Sequence, residues 1–223
     1  MDPSVKPADA PAYALVILDF DGTLADTFPW FASVLNEVAA RYRFRPVAAH
    51  EVEGLRGCGA AGVLARLDIP RWKVPFIARH MRRRASEARG TFALFPGMAE
   101  ALRAFDAAGV RLAIVSSNRE ATVRHVLGPE LAGRIAFYRC GTALFGKAAA
   151  FRRLLRTAGV TPAAALAVGD ETRDLAAARK AGLAFGAVAW GYMSAPALAA
   201  AGPDHLFATA AQLTAAVLPA DRQ

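Results

Sequence analysis

The stretch LVILDFDGTLADT, residues 15–27, ends an apolar run on two aspartates, Asp19 and Asp21. An unbroken run rich in branched side chains is typical of a strand that is covered on both faces of a parallel sheet. Gly22 follows the aspartates and permits a sharp change of chain direction. Two carboxylates this close repel each other, so the pattern calls for a divalent cation, or for one ionised and one protonated group. The stretch therefore predicts a ligand site at the carboxyl end of a buried strand.

Apolar runs of the same kind recur along the chain and alternate with helical patterns. The predicted strands are residues 13–20, 110–117, 165–170 and 185–190, with 134–140 as a weaker fifth. The predicted helices are residues 97–109, 119–128, 147–159 and 172–182. Three of these helices end in Ala-Gly, a natural helix stop. The alternation predicts an α/β fold, a Rossmann-like parallel sheet core with helices on both faces.

Residues 28–95 break the alternation, because their pattern is helical without a convincing strand. We predict that they form a helical cap inserted after the first strand. The core domain then consists of residues 13–27 and 96–223. Residues 1–12 contain three prolines and no core-building pattern, so they are predicted to be a flexible lead-in.

The formal net charge of +8 is concentrated in the predicted cap, which has twelve Lys and Arg against five Asp and Glu. Such an excess is typical of solvated helix faces, and it also suits attraction of an anionic substrate or a nucleic acid. No apolar run approaches the roughly 18 residues of a membrane span, and the first residues lack the pattern of a secretory signal. We expect a cytoplasmic protein without a membrane partner. Cys58 and Cys140 have no CxxC spacing, which argues against a structural zinc site.

A second acidic pair follows another predicted strand, in VGDETRD at residues 168–174. Asp170 and Asp174 are four residues apart and so share one face of the helix that begins there. Carboxylates at the ends of two parallel strands can converge on one Mg²⁺, a hard cation that prefers oxygen ligands. The two acidic pairs together predict such a site.

Two further features indicate a phosphate. IVSSN, residues 114–118, ends a strand on hydroxyls and leads into a helix, whose free N–H groups can bind anionic oxygens. Ser116 is the predicted phosphate hydroxyl, with Ser117 as the alternative and Asn118 as a further contact. Lys147 begins another helix, at the end where the helix dipole favours anions. A lysine at this position is better explained if an anionic ligand or a carboxylate accompanies it.

The set D-x-D-G-T, a strand ending in Ser, an isolated Lys and G-D-x-x-x-D, in that order, resembles the haloacid dehalogenase superfamily and within it the phosphoglycolate phosphatase-like branch. The likeness covers roughly residues 13–215, and four motifs in order are far more specific than any one of them. The resemblance implies a Mg²⁺-dependent hydrolase of phosphoric monoesters. Its substrate would be a small anionic phosphorylated metabolite such as phosphoglycolate.

The resemblance also implies roles for individual residues. Asp19 would be the nucleophile that forms an aspartyl-phosphate. Asp21 would protonate the leaving alcohol and then activate the attacking water. Ser116 and Lys147 would bind the phosphoryl oxygens. The ligands of Mg²⁺ would be Asp19, the backbone carbonyl of Asp21, Asp170 and Asp174.

The sequence departs from the pattern of this family at two positions. Ala148 follows Lys147 where many relatives have Pro, and Glu171 follows Asp170 where many have Ser or Thr. Glu171 is either a metal ligand or a helix-start residue. Gly22 is predicted to lie against the substrate, and Arg56, between glycines in the cap, is either a substrate contact or a loop residue in solvent.

Other activities stay open at this point. A phosphomutase of the same fold uses the same two aspartates, whereas a dehalogenase does not need an acid at Asp21. A basic binding module with an inactive core is the alternative of another class. Nucleic acid is not favoured as a partner, because a binding module has no need of four catalytic motifs. The oligomeric state is not indicated by the sequence.

Overall fold

The computed structural model describes residues 11–143 and 146–218. Its strands are β1 (Leu15–Leu18), β2 (Ala25–Asp26), β3 (Ala93–Leu94), β4 (Arg111–Val115), β5 (Ile135–Arg139), β6 (Ala165–Gly169), β7 (Ala184–Val188) and β8 (His205–Phe207). Its α-helices are α1 (Phe28–Tyr42), α2 (Gly59–Arg66), α3 (Val74–Glu87), α4 (Met98–Ala107), α5 (Glu120–Arg134), α6 (Lys147–Ala158), α7 (Thr172–Ala181), α8 (Ala195–Ala200) and α9 (Ala210–Val217). Short 3-10 helices lie at Ala49–Glu51, Glu53–Gly57, Arg71–Lys73, Arg89–Thr91 and Pro162–Ala164.

Six of the strands form one parallel sheet in the order β5-β4-β1-β6-β7-β8. β1 lies at its centre, with Leu18 opposite Ile114 of β4 and Val168 of β6. The predicted Rossmann-like α/β fold is confirmed. Every predicted core strand is present within a few residues of its expected bounds.

Helices cover both faces of the sheet because the side chains of each strand alternate between two apolar layers. Val16 and Leu18 belong to a layer with residues of α4, α5 and α9, whereas Leu15 and Ile17 belong to a layer with residues of α6 and α7. All four side chains of β1 are buried. The apolar run at the start of the motif is therefore the central strand, covered on both sides as its composition predicts.

Four elements differ from the sequence predictions. β8 adds a sixth strand to the parallel sheet. β2 and β3 form a small antiparallel pair, although no strand was predicted at residues 25–26 or within residues 28–95, where β3 lies. α5 continues past its predicted end at Gly128, where φ is +70° and the helix kinks. Pro129 directly follows the kink, and proline suits the first position of the second helical segment.

Residues 28–95 contain α1, α2 and α3 and have a cluster of buried apolar side chains of their own. This cluster includes Leu35, Val38, Leu55 and Leu67. The β2–β3 pair joins the two ends of the segment, with Ala25 opposite Leu94. Among the described residues, no helix combines the length and the apolar character that a membrane crossing requires.

Candidate active site

The carboxyl ends of three neighbouring strands bring the sequence motifs together. Asp19 directly follows β1, Ser116 follows β4, and Asp170 follows β6. The backbone N–H of Asp19 still donates to the Val168 carbonyl at 2.9 Å, so the register of β1 and β6 extends to the first aspartate. Because parallel strands end at one edge, Asp19 and Asp170 meet here although they are 151 positions apart in sequence.

Asp19, Asp170 and Asp174 form a buried carboxylate cluster. One oxygen of each lies within 4.8 Å of the others. Asp174 Oδ2 is buried without a hydrogen bond, whereas Oδ1 lies 2.7 Å from the Lys147 ammonium. Buried carboxylate oxygens without hydrogen bonds carry a large desolvation cost, which a divalent cation offsets. The residues present therefore fit a hard divalent cation.

Lys147 is the cation inside this cluster, with a side chain that is only 4% exposed. Its Nζ lies 2.5 Å from Asp19 Oδ2 and 2.7 Å from Asp174 Oδ1. Burial lowers the pKa of Lys147, but Asp174 and Asp19 outweigh burial and the net shift is upward. Two carboxylates thus accompany the lysine at the first turn of α6, where the helix dipole alone disfavours a cation.

Tight contacts position Asp170. Thr23 Oγ1 donates to Asp170 Oδ1 at 2.9 Å, and the backbone N–H of Tyr192 donates to Oδ2 at 2.7 Å. Gly22 has φ +75°, and a Cβ on it would lie 2.1 Å from Asp170 Oδ2. The glycine after the two aspartates is therefore required by both the backbone angle and the approach of the second acidic motif.

Asp21 lies apart from the carboxylate cluster and lines a cavity. Its Oδ1 accepts hydrogen bonds from Thr27 Oγ1 at 3.1 Å and from Asn118 Nδ2 at 3.3 Å. Thr27 Oγ1 in turn lies 3.1 Å from the Tyr192 hydroxyl. These contacts give the Asp21 carboxylate hydrogen-bond partners that differ from those of Asp19.

The surroundings shift the pKa of each carboxyl group differently. Burial raises the pKa of Asp19 to about 7, although Lys147 opposes the shift. Burial, together with Glu171 and Asp19, raises the pKa of Asp170 well above its usual range. Burial also raises the pKa of Asp21, against hydrogen bonds from Thr27 and Asn118. At Asp174, burial is outweighed by Lys147 and Arg173, and the pKa is lowered.

The hydroxyl residues after β4 have distinct positions. Ser116 is fully buried, and its Oγ accepts the backbone N–H of Asn118 at 3.0 Å. Ser117 and the Asn118 side chain line the cavity beside Asp21. The choice between Ser116 and Ser117 as the phosphate hydroxyl stays a prediction.

Glu171 and Arg56 connect the sheet edge to residues 28–95. Glu171 Oε2 accepts the backbone N–H of Ala60 at 3.1 Å, and its Oε1 lies 2.6 Å from Arg173. Glu171 is outside the group of three carboxylates. Arg56 donates to the Gly191 carbonyl at 2.5 Å, and its guanidinium lies 4.6 Å from the centre of the Phe28 ring. Contact of Arg56 with substrate stays a prediction.

Sequence reasoning missed Thr23, Thr27 and Tyr192. All three hold a predicted site carboxylate in place, directly or through one hydroxyl. The two threonines lie within the quoted stretch, so their proximity was a usable signal. Tyr192 follows β7 in a loop and has no local pattern that marks it.

Comparison with known proteins identifies the family. A family model described as haloacid dehalogenase-like hydrolase matches residues 16–188. The phosphoglycolate phosphatase of Synechococcus elongatus is 32% identical over 209 residues, covering 93% of this chain and 99% of that protein.

Solved structures agree with this result. CbbY from Rhodobacter sphaeroides, in complex with phosphate, has 25% identity and a TM-score of 0.69, covering 90% of this chain and 96% of that one. A haloacid dehalogenase-like family hydrolase from Streptococcus pneumoniae has a TM-score of 0.74 at 18% identity, covering 92% of this chain and 98% of that one, and it shows the fold alone.

Fold, site and relatives together define a hydrolase with a Rossmann-like α/β core. The chain belongs to the haloacid dehalogenase-like hydrolase family, in its phosphoglycolate phosphatase-like branch, and it is a phosphatase.

Proposed function

We propose that this enzyme hydrolyses a small phosphorylated metabolite, a phosphoglycolate-like phosphomonoester, through an aspartyl-phosphate on Asp19. The observation that carries the proposal is the buried group of Asp19, Asp170, Asp174 and Lys147 beside a separately held Asp21. A nucleophile, a cation site and an acid with different surroundings are the parts that a two-step phosphoryl transfer needs.

The cation is proposed to be Mg²⁺. Asp19, Asp170 and the backbone carbonyl of Asp21 would hold it, with Asp174 in support. When bound, it would supply positive charge that offsets the charge on the phosphoryl oxygens. Mg²⁺ suits the site because every proposed ligand is an oxygen and three of them are carboxylates.

In the first step a carboxylate oxygen of Asp19 forms a bond to phosphorus as the bond to the leaving alcohol oxygen breaks. Asp21 gives its proton to that oxygen, and the raised pKa of Asp21 favours the protonated form that this step needs. Lys147 and Ser116 bind the phosphoryl oxygens.

In the second step Asp21, now ionised, takes a proton from water. The water oxygen attacks phosphorus and the bond from Asp19 breaks, which releases inorganic phosphate and restores the carboxylate. A phosphomutase would instead return the phosphoryl group to the organic product.

Residues 28–95 are proposed to be the cap that covers the site during the first step, and residues 13–27 and 96–223 the core. The separate apolar cluster of this segment supports the division. The contacts of Ala60 with Glu171 and of Arg56 with Gly191 support closure of the cap over the carboxyl edge.

The names of relatives support the substrate class. The relative from Synechococcus elongatus is a phosphoglycolate phosphatase, and a mutant of CbbY is known in complex with xylulose-1,5-bisphosphate. Both compounds are small anionic phosphate esters.

The test is release of free phosphate from phosphoglycolate and from an aryl phosphate with Mg²⁺. We expect turnover by the wild type and none by Asp19→Asn. Asp26→Asn is the matched control, because Asp26 is exposed on β2 and belongs to the same stretch. Full turnover by Asp19→Asn would reject the mechanism, and an isomerised product without free phosphate would favour the mutase.

A further inference from the structure

A cavity of about 250 Å³ lies between the carboxyl edge of the sheet and residues 28–95. At one end it reaches Asp21 and Asn118, beside the proposed reacting centre. Beyond them its lining is mostly apolar and comes from α1, α2 and α3. The lining side chains include Phe31, Val63, Leu64, Ile77 and Met81.

These apolar side chains are only half-buried, so they present hydrocarbon surface to the cavity. Cavities lined mostly by apolar side chains with a few convergent polar groups at one end are the usual form of small-molecule sites. A cavity of about 150 Å³ lined by aliphatic and aromatic side chains holds a benzene ring. The space here is therefore large enough for a phenyl ring or a chain of about six carbons.

Most of the cavity lining suits a carboxylate poorly. Moving a carboxylate into apolar surroundings is costly unless a cation pairs with it. Arg173 lines the cavity, but it already forms an ion pair with Glu171 at 2.6 Å. Arg82 of α3 also lines the cavity, whereas the other residues that α3 contributes to the lining, such as Ala78, Met81 and Ala85, carry no charge.

We infer that the preferred substrate is a phosphate monoester whose alcohol carries an apolar group of phenyl or hexyl size. That group occupies the α1–α3 side of the cavity while the phosphoryl group lies at Asp19. The inference rests on the phosphatase chemistry of the proposed function and specifies a leaving alcohol that is larger and less polar than glycolate.

The experiment measures kcat/KM for ethyl, butyl and hexyl phosphate and for phosphoglycolate. Primary alkyl alcohols are similar leaving groups, so differences in kcat/KM along the series report burial of the alkyl chain. Each buried methylene is worth about 0.8 kcal/mol, or about fourfold in kcat/KM. We therefore expect hexyl phosphate to exceed ethyl phosphate by on the order of 100-fold and to be preferred over phosphoglycolate.

Two neighbouring residues of α3 provide matched variants. Ile77 lines the cavity, whereas Phe76 is 60% exposed and lies outside the lining. Ile77→Asn should lower kcat/KM for hexyl phosphate about tenfold and change kcat/KM for ethyl phosphate little, because the lost contacts are with the longer alkyl chain. Phe76→Asn should leave both values unchanged.

The outcomes separate the inference from the proposed function. Equal kcat/KM values along the alkyl series, or a preference for phosphoglycolate over hexyl phosphate, would overturn the inference and leave the phosphatase proposal intact. Loss of that preference in Arg82→Met would assign the glycolate carboxylate to Arg82. If no ester is hydrolysed, the proposed function fails. Calorimetric binding of hexylphosphonate against methylphosphonate then still tests the cavity, since equal affinities would overturn the inference.

Discussion

Replacing Lys147 with Met tests whether the lysine balances the buried carboxylates. Met keeps much of the length of the side chain but removes the charge that lies 2.5 Å from Asp19 and 2.7 Å from Asp174. Removing one partner of a buried ion pair costs about 3–5 kcal/mol, because the other partner stays buried and uncompensated. We expect a loss of this size in the free energy of unfolding at pH 7 in EDTA.

Proton uptake sets an upper limit on that loss. Without Lys147, Asp174 can protonate instead of staying ionised. Neutralising a carboxyl group with an ordinary pKa of 3.8 costs about 1.36 kcal/mol per pH unit, which is about 4.4 kcal/mol at pH 7 and about 1.6 at pH 5. The pKa of Asp174 in the folded variant would lie above its unfolded value. The deficit should therefore shrink as the pH falls from 7 to 5.

Urea unfolding at both pH values measures these differences. Lys180→Met is the control, since it removes the same charge from an exposed position on α7. Mg²⁺ should stabilise Lys147→Met more than the wild type, because a divalent cation supplies the missing charge. A loss below about 1 kcal/mol at pH 7, or a deficit that does not change with pH, would refute the reasoning.

Two other predictions concern the same edge of the sheet. Gly22→Ala should abolish turnover, because its Cβ would lie 2.1 Å from Asp170 Oδ2. Gly109→Ala is the control, since Gly109 has a similar φ of +77° but its Cβ would meet nothing within 4 Å. That variant should lose about 1 kcal/mol of stability and still release phosphate. Equal activity of the two variants would contradict this account. The pKa of Asp19 is about 7 in the metal-free fold and 3.8 in the unfolded chain. Protonation of Asp19 therefore contributes stability that is fully present below pH 3.8 and is lost as the pH rises through about 7. Protons thus compete with Mg²⁺, so calorimetric affinity for Mg²⁺ should rise between about pH 6 and 8; a flat profile would contradict a role for Asp19 as ligand.

The sequence predicted the features that depend on local pattern. Apolar runs marked the strands that build the core, and the rule that parallel strands end at one edge predicted that Asp19 and Asp170 lie together, as they do. β2, β3 and β8 were not predicted, because each has only two or three residues and depends on its partner strand. Short strands carry too little periodicity to be recognised alone.

The rest of the site depends on tertiary position. Tyr192 reaches Asp170 and Thr27 from a loop after β7, and nothing in its neighbours marks that contact. The cavity was missed for a different reason. Apolar positions such as Ile77 and Met81 have the spacing of a helix that packs on a core, and a core-facing residue cannot be told from a cavity-lining residue by spacing.

The most direct test of the central claim is identification of the residue that carries the phosphoryl group. The wild type, acid-quenched during turnover of an aryl phosphate with Mg²⁺, is treated with borohydride, which reduces an acyl phosphate to an alcohol. Peptide mass spectrometry should then find homoserine at position 19 and unchanged aspartate at position 21. Homoserine at position 21, or at neither position while phosphate is still released, would contradict Asp19 as the nucleophile.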